Sequence, residues 1–117
     1  MEHIFQLLAD SDLIGEHEVL SLLQDEDFYY LKIKALIVDR SLLHIKIYLS
    51  DKEYNYSFHW QSETGELIIR WDNAPHHPDI LTFPHHVHTG ELTEESYNIT
   101  LDDALKEIRQ RVDLQNA

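Results

Sequence analysis

The sequence contains no cysteine, and only three glycines, three prolines and nine Lys or Arg residues among 117. The absence of cysteine excludes a disulfide framework and thiolate-ligated metals. No apolar run is long enough to cross a bilayer, and the first residues lack the basic start of a signal peptide. We therefore expect a cytoplasmic protein with no membrane partner, folded as a single domain over residues 1–117.

The shortage of basic residues gives a formal net charge of −13, but this charge is unevenly distributed. Residues 1–28 hold eight acids and no Lys or Arg, whereas residues 29–90 hold seven acids, six basic residues and seven of the nine histidines. A chain with this net charge is not expected to bind nucleic acid non-specifically through its overall charge. The acidic ends suit a basic protein partner, or they only keep the protein soluble; the sequence leaves both open.

The hydrophobic pattern predicts an α+β fold with a mostly antiparallel sheet. Residues 28–38, 42–50, 54–61 and 66–72 are rich in β-branched and aromatic side chains, and turn-like segments separate them. Because such short connections make neighbouring strands antiparallel, we predict a four- to five-stranded meander. The fifth strand would be 16–23, where the apolar residues fit a helical period equally well.

Helices are predicted at both ends of the sheet. Ile4, Phe5 and Leu8 indicate a short N-terminal helix that ends near Asp10. Thr100 followed by Asp103 resembles a capping box, and apolar residues then recur at helical spacing to about residue 113. We expect this amphipathic C-terminal helix to pack on one face of the sheet, because a sheet of this size needs cover.

Alternation along each strand assigns the side chains to two faces of the sheet. One face is apolar and forms the predicted core. The other carries Tyr30 together with the residues that we take as candidates for substrate binding, which are Lys32, Lys34, His44, Lys46 and Tyr48. Its only acids are Glu66 and Asp72. Basic groups interleaved with aromatic rings are typical of surfaces that bind single-stranded nucleic acid, although a solvated sheet face is the alternative.

The segment 70–90 holds all three prolines and five of the nine histidines. Three interpretations remain open for it. The histidines could be the acid and base of metal-free RNA cleavage, with Arg70 holding a phosphate. His86 and His88 could bind zinc or nickel, although their spacing matches no zinc motif and we expect no cofactor. The residues could also be structural, through capping and backbone hydrogen bonds.

Three strings in this region carry a family resemblance. Arg-Trp-Asp-Asn-Ala-Pro-His-His-Pro at 70–78, Thr-Phe-Pro-His-His-x-His-x-Gly at 82–90 and Tyr-Ser-Phe-His-Trp-Gln at 56–61 resemble the TumE-like proteins of prokaryotic toxin–antitoxin pairs. The resemblance implies a toxin whose cognate antitoxin carries a DNA-binding part. It also implies a set of candidate site residues, which are Arg70, Asp72, Asn73, His76, His77, His85, His86 and His88.

From the residues and the resemblance together, we predict a toxin component that acts as a metal-independent ribonuclease. The predicted catalytic residues are His59, Arg70, Asp72, His76, His77, His85, His86 and His88, with Lys46 helping to stabilise phosphate charge. The alternatives are a non-enzymatic protein-binding module and a histidine-based metal protein. A homodimer through an exposed strand edge is a further possibility. The catalytic interpretation requires the loop histidines to lie on the same face as Arg70 and His59.

Overall fold

The structure, a computed structural model, describes residues 2–73, 85–89, 92–95 and 99–115. In these ranges the chain forms helix α1 (Glu2–Asp10), seven strands and helix α2 (Leu101–Gln115). The strands are β1 (Ile14–Gln24), β2 (Phe28–Ile37), β3 (Leu42–Ser50), β4 (Tyr54–Gln61), β5 (Leu67–Asp72), β6 (His86–Thr89) and β7 (Leu92–Glu95). Neither helix in the described ranges combines the length and the apolar content of a membrane span.

All seven strands form one antiparallel sheet in which each strand pairs with its neighbour in sequence. The predicted α+β meander with a helix at each end is confirmed, but the sheet has more strands than expected. Residues 16–23 belong to β1, and two four-residue strands, β6 and β7, extend the sheet beyond β5. Strands this short carry too little alternation to be distinguished from a loop by sequence pattern.

The two faces of the sheet differ sharply in burial. On the face that bears the helices, which we call the covered face, Leu31, Ile45 and Phe58 are completely buried. The apolar side of α2 packs into the same cluster through Leu101, Ala104, Leu105, Ile108 and Val112. The opposite side, which we call the open face, carries the lysines, histidines and tyrosines that alternation had assigned to it.

Local hydrogen bonds explain where several elements begin and end. Thr100 and Asp103 form the predicted capping box: the Thr100 amide donates to the Asp103 carboxylate over 3.0 Å, and the Asp103 amide donates to Thr100 Oγ1. The β4–β5 turn contains Gly65 at a φ of 93°, a left-handed conformation that glycine adopts at no steric cost. Buried Ser41 accepts a hydrogen bond from the Trp60 indole over 2.8 Å, which ties the β2–β3 turn to the core.

Strand β1 lies at one edge of the sheet and pairs only with β2 among the described residues. Its register shifts twice, between Ile14 and Glu16 and between Val19 and Ser21. Four aliphatic side chains between positions 19 and 23 are 41% to 56% exposed, namely those of Val19, Leu20, Leu22 and Leu23. The second register shift interrupts the alternation of side chains between the two faces of the sheet. The apolar residues of this segment therefore fit a strand period and a helical period equally well.

Candidate active site on the open face of the sheet

The register of β3 to β6 brings three histidines and an arginine into one line across the open face. His44 pairs with His59, His59 with Arg70, and Arg70 with His88. Directly paired residues in antiparallel strands point to the same side of the sheet, so these four side chains are neighbours. We call them the imidazole row. Strand β6 therefore places His88 on the face that also carries His59.

A second line of polar residues runs beside the imidazole row, two positions away along each strand. Lys32 pairs with Lys46, Lys46 with Ser57, and Ser57 with Asp72. We call these four residues the lysine row. On strands β2 to β5, the open face thus carries four cations, Lys32, Lys34, Lys46 and Arg70, and the single carboxylate of Asp72.

Arg70 and Asp72 connect two histidines through a continuous series of contacts. Arg70 Nε donates to Asp72 Oδ2 over 2.8 Å, and Arg70 Nη1 lies 3.3 Å from Nδ1 of His59. On the other side, Nε2 of His88 lies 3.5 Å from the same Asp72 oxygen. Asp72 is only 3% exposed, so water and salt screen its contacts less than they would screen those of a surface carboxylate.

The environment of two imidazoles favours their neutral form. Burial, together with the nearby charges of Arg70 and His44, lowers the pKa of His59. Burial likewise lowers the pKa of His44, and the positive charges of Lys34 and Lys32 add to the effect. A guanidinium can only donate hydrogen bonds, so His59 Nδ1 must accept the bond from Arg70. Neutral imidazoles beside fixed cations can accept a proton from a substrate that a cation holds nearby.

Asn73 fastens the end of β5 to β4, directly after the site carboxylate. Its side-chain oxygen accepts from the Tyr56 amide over 2.9 Å, and its side-chain nitrogen donates to the Tyr54 carbonyl over 2.6 Å. The Asn73 side chain thus bonds to backbone groups of β4 in the way that the backbone of a paired strand residue would, and it is buried. Through this clamp, Asn73 fixes the position of the adjacent Asp72 at the end of β5.

The structure does not bring all the predicted catalytic histidines to this face. His85 lies toward the covered face, where its ring stacks on Tyr56 at a centroid distance of 5.8 Å and its Nδ1 lies 3.0 Å from the tyrosine hydroxyl. Burial raises the pKa of Tyr56 to about 12, so the hydroxyl stays protonated in this contact. Because β6 alternates, His85 and His88 occupy opposite sides of the sheet, and the placement of His85 differs from the expectation.

Three other predicted site residues remain untested by the geometry. His76 and His77 lie outside the described residues, as does the His86 side chain, although the His86 backbone pairs with Asp72. The possible zinc or nickel site at His86 and His88 therefore stays a prediction. Within the part of the chain that the structure describes, no group of three or more His, Asp or Glu side chains is arranged to hold a metal ion.

Two adjoining concavities occupy the open face. The first, of about 310 Å³, is lined by Tyr30, Lys46, Tyr48, Asn55, Arg70 and Asp72 among others. The second, of about 330 Å³, is lined by Lys32, His44, Lys46, His59, Gln61 and Arg70 among others. They share Lys46, Ser57 and Arg70, so they form one continuous groove along the strands. Asn55, Ser57 and Gln61 also line these concavities, and their uncharged side chains gave no signal of a site in the sequence.

Comparison with known proteins identifies the family of the chain. No curated protein and no solved structure matches it significantly. The family model described as toxin TumE, however, matches residues 4–112, which include most of both helices, the whole sheet and every residue of the groove. A match over nearly the entire sequence cannot come from the histidine motif alone. The chain therefore belongs to the TumE toxin family.

Proposed function

We propose that this toxin acts in the cytoplasm as a metal-independent ribonuclease whose active site is the imidazole row. The proposal rests on one observation above all, the series of contacts from His59 through Arg70 and Asp72 to His88. It provides an imidazole on either side of a cation, and His59 and Arg70 line a groove that also contains lysines. Two imidazoles and a fixed positive charge are sufficient for cleavage of an RNA backbone by its own 2′-hydroxyl.

His59 is the proposed general base. Its lowered pKa keeps the ring neutral near pH 7, but Nδ1 is engaged by Arg70 before substrate binds. A substrate phosphate that binds the guanidinium would take over this hydrogen bond and leave Nδ1 available for the 2′-hydroxyl proton. Binding of the correct anion would thus expose the base, as catalytic hydrogen bonds often rearrange when substrate arrives.

His88 is the proposed general acid. Its Nε2 lies 3.5 Å from the Asp72 carboxylate, which is the contact that an imidazolium would make as an ion pair. His59 and His88 flank Arg70 from neighbouring strands, so their backbones are two strand spacings apart, about 9 to 10 Å. A phosphate seated on Arg70 between them would meet the base on one side and the acid on the other.

The proposed reaction is a transesterification. The 2′-oxygen loses its proton to His59 and forms a bond to phosphorus, while the bond from phosphorus to the 5′-oxygen breaks. His88 gives its proton to that leaving oxygen, and the products are a 2′,3′-cyclic phosphate and a 5′-hydroxyl end. Arg70 and Lys46 stabilise the additional negative charge on the phosphoryl oxygens in the transition state.

Cleavage of a labelled single-stranded RNA by the purified chain in the presence of EDTA tests the proposal. We expect cyclic-phosphate products and a bell-shaped dependence of rate on pH, with His59→Ala and His88→Ala each slower by about 100- to 10,000-fold. His17→Ala, which removes an exposed histidine from β1, is the matched control and should cleave normally. Absence of cleavage by the unmodified chain, or full activity of both site variants, would refute the proposal.

The partner that we propose is a cognate antitoxin with a DNA-binding part. Two observations support a contact at β1: the exposed aliphatic residues 19–23 on an edge strand, and the absence of Lys and Arg from residues 1–28. An apolar segment with basic flanks could pair with such an edge. Self-pairing into a homodimer would bring together two chains of net charge −13, which disfavours it.

An experiment on partner binding distinguishes the enzyme from a non-enzymatic binding module. Co-expression with the neighbouring gene should yield a complex that Leu22→Lys weakens, while that variant alone still cleaves RNA. A complex that depends on Arg70 and His59 instead, without RNA turnover, would favour the binding-module alternative. Sedimentation of the chain alone would detect a homodimer through a mass that rises with concentration.

A further inference from the structure

We infer that Tyr30, Tyr48 and Asn55 form a nucleobase site, so that the chain takes an unpaired stretch of RNA laid along its strands. This inference depends on the proposed function, which identifies the phosphate that is cleaved. It adds a second contact between the chain and its substrate. The three residues make a line across β2, β3 and β4, because Tyr30 pairs with Tyr48 and Tyr48 with Asn55. We call them the aromatic row.

The aromatic row lies in the same groove as the charged rows. Tyr30, Tyr48 and Asn55 line the concavity of about 310 Å³, together with Lys46 and Arg70. That volume is at the lower end of the range of about 300 to 1,000 Å³ that small-molecule sites occupy. Both tyrosines are half-buried and line this concavity, so part of each side chain is accessible from it.

Tyr48 is held in place before any ligand binds. Its ring stacks on Phe28 at a centroid distance of 5.6 Å and an interplanar angle of 23°. An aromatic ring fixed in this way loses little conformational entropy when a base stacks on it. Asn55 donates one amide hydrogen to Glu53 over 3.2 Å, and an amide also offers the donor and acceptor that the edge of a base requires.

The three rows are regularly spaced along β3, at Tyr48, Lys46 and His44. Alternate residues in a strand are about 7 Å apart, so the aromatic, lysine and imidazole rows follow one another at steps of about 7 Å. One step is comparable to one nucleotide of an extended strand. A base on the aromatic row would therefore place its own phosphate near Lys46 and the next phosphate near Arg70 and His59.

Such an arrangement selects unpaired nucleic acid. A base can lie on a tyrosine only if at least one of its faces is released from neighbouring bases, which the interior of a duplex does not allow. The lysine row, in contrast, would attract the phosphates of either form. The aromatic row is thus expected to supply the preference for single strands, while the lysines supply affinity that is independent of sequence.

Binding of two charge-matched probes tests the site without requiring catalysis. One is a short 2′-O-methyl oligouridine, which has no nucleophile to cleave; the other has the same backbone with every base removed. At low salt, fluorescence anisotropy should show at least about fivefold tighter binding of the base-bearing probe, because stacking on an aromatic side chain contributes about 1 to 3 kcal/mol per base. Tyr48→Ala should largely remove this preference and leave the affinity for the abasic probe unchanged.

Tyr48→Phe is the matched control, because it keeps the ring and should keep the preference. Equal affinities of the unmodified chain for both probes, failure to bind either probe, or an unchanged preference in Tyr48→Ala would each overturn the inference. The result is separate from that of the proposed ribonuclease activity. A chain that prefers the base-bearing probe but cleaves no RNA has a nucleobase site without the proposed catalysis. A chain that cleaves RNA but binds both probes equally has the catalysis without the nucleobase site.

Discussion

Phe58 and His59 are neighbours in β4, but their side chains belong to opposite faces of the sheet. Phe58 is completely buried beneath the helices, stacked on Tyr56 at 5.3 Å. His59 is half-buried on the open face, where it contacts the polar side chains of Arg70 and His44. The covered face supplies the free energy of folding, and the open face can therefore hold adjacent cations and imidazoles that contribute little to stability. The predictions below test this division, beginning with the largest effect.

Removal of the Phe58 ring and removal of the His59 ring should have very unequal effects on stability. Phe58→Ala leaves a cavity in the core and should lower the free energy of unfolding by about 3 to 5 kcal/mol. His59→Ala removes a partly exposed ring and should change it by less than about 1 kcal/mol. Urea unfolding followed by circular dichroism measures both. A loss of stability in His59→Ala as large as that in Phe58→Ala would show that the open face also supports the fold.

Asn73 connects the two faces, and its removal should affect both stability and the site. Asn73→Ala deletes the acceptor for the Tyr56 amide and the donor to the Tyr54 carbonyl. Because these backbone groups are buried, we expect a loss of about 1 to 3 kcal/mol in unfolding free energy. Asn55→Ala, at an exposed position of β4, is the control and should be nearly neutral in urea unfolding. Equal stability of the two variants would contradict the clamp.

A fall in pH should lower the free energy of unfolding through two histidines on the open face. The pKa values of His44 and His59 are lowered, first by burial, so the folded chain binds these protons more weakly than the unfolded chain does. Unfolded histidines titrate at about pH 6.5, so the stability from these two neutral rings is present above that pH and is lost as the pH falls below it.

His44→Gln should reduce this acid-dependent loss. The measurement is the urea midpoint at pH 7.5 and at pH 5.5, compared with His17→Gln, which changes a histidine on the exposed strand β1. If His44→Gln and the unmodified chain lose the same stability between the two pH values, burial of the neutral ring has no energetic consequence. The affinity for nucleic acid, in contrast, should rise as the pH falls, because protonation makes the open face more positive.

The smallest predicted effect is on the salt dependence of nucleic-acid binding. Each phosphate neutralised on a single strand contributes about 0.7 to the slope of log affinity against log salt concentration. Lys46→Ala should therefore reduce that slope by about 0.7, because Lys46 lies in the middle of the groove. Lys106→Ala on α2, opposite the groove, should leave it unchanged. Equal slopes for the two variants would mean that phosphates do not follow the lysine row.

Much of the fold could be predicted because alternation and turn chemistry agree over β2 to β5. Lys46 and Ile47, for example, are assigned to opposite faces by alternation alone, and the structure exposes the first and buries the second. The capping box at Thr100 is a local signal and was equally clear. Strand β1 was ambiguous because the register shift at Leu20 breaks the period on which such assignments depend.

The site was predictable only in part, for a related reason. Arg70, Asp72 and His59 lie on β4 and β5, where side chains alternate over six to eight residues, so their common face followed from the sequence. The position of His85 depended on where the four-residue strand β6 begins and on a contact with Tyr56, 29 residues earlier in the chain. Neither the start of a short strand nor a distant side-chain partner leaves a periodic trace in the sequence.

The meander has a consequence for how the molecule is made. Because every strand pairs with the one before it, the sheet can be added one strand at a time as the chain leaves the ribosome. The imidazole row is complete once β6 has been synthesised, whereas α2, which closes the core, ends only at Gln115. If the strands pair before α2 docks, the groove is assembled while the apolar side of the sheet is still uncovered, a stage at which chaperones have access to it.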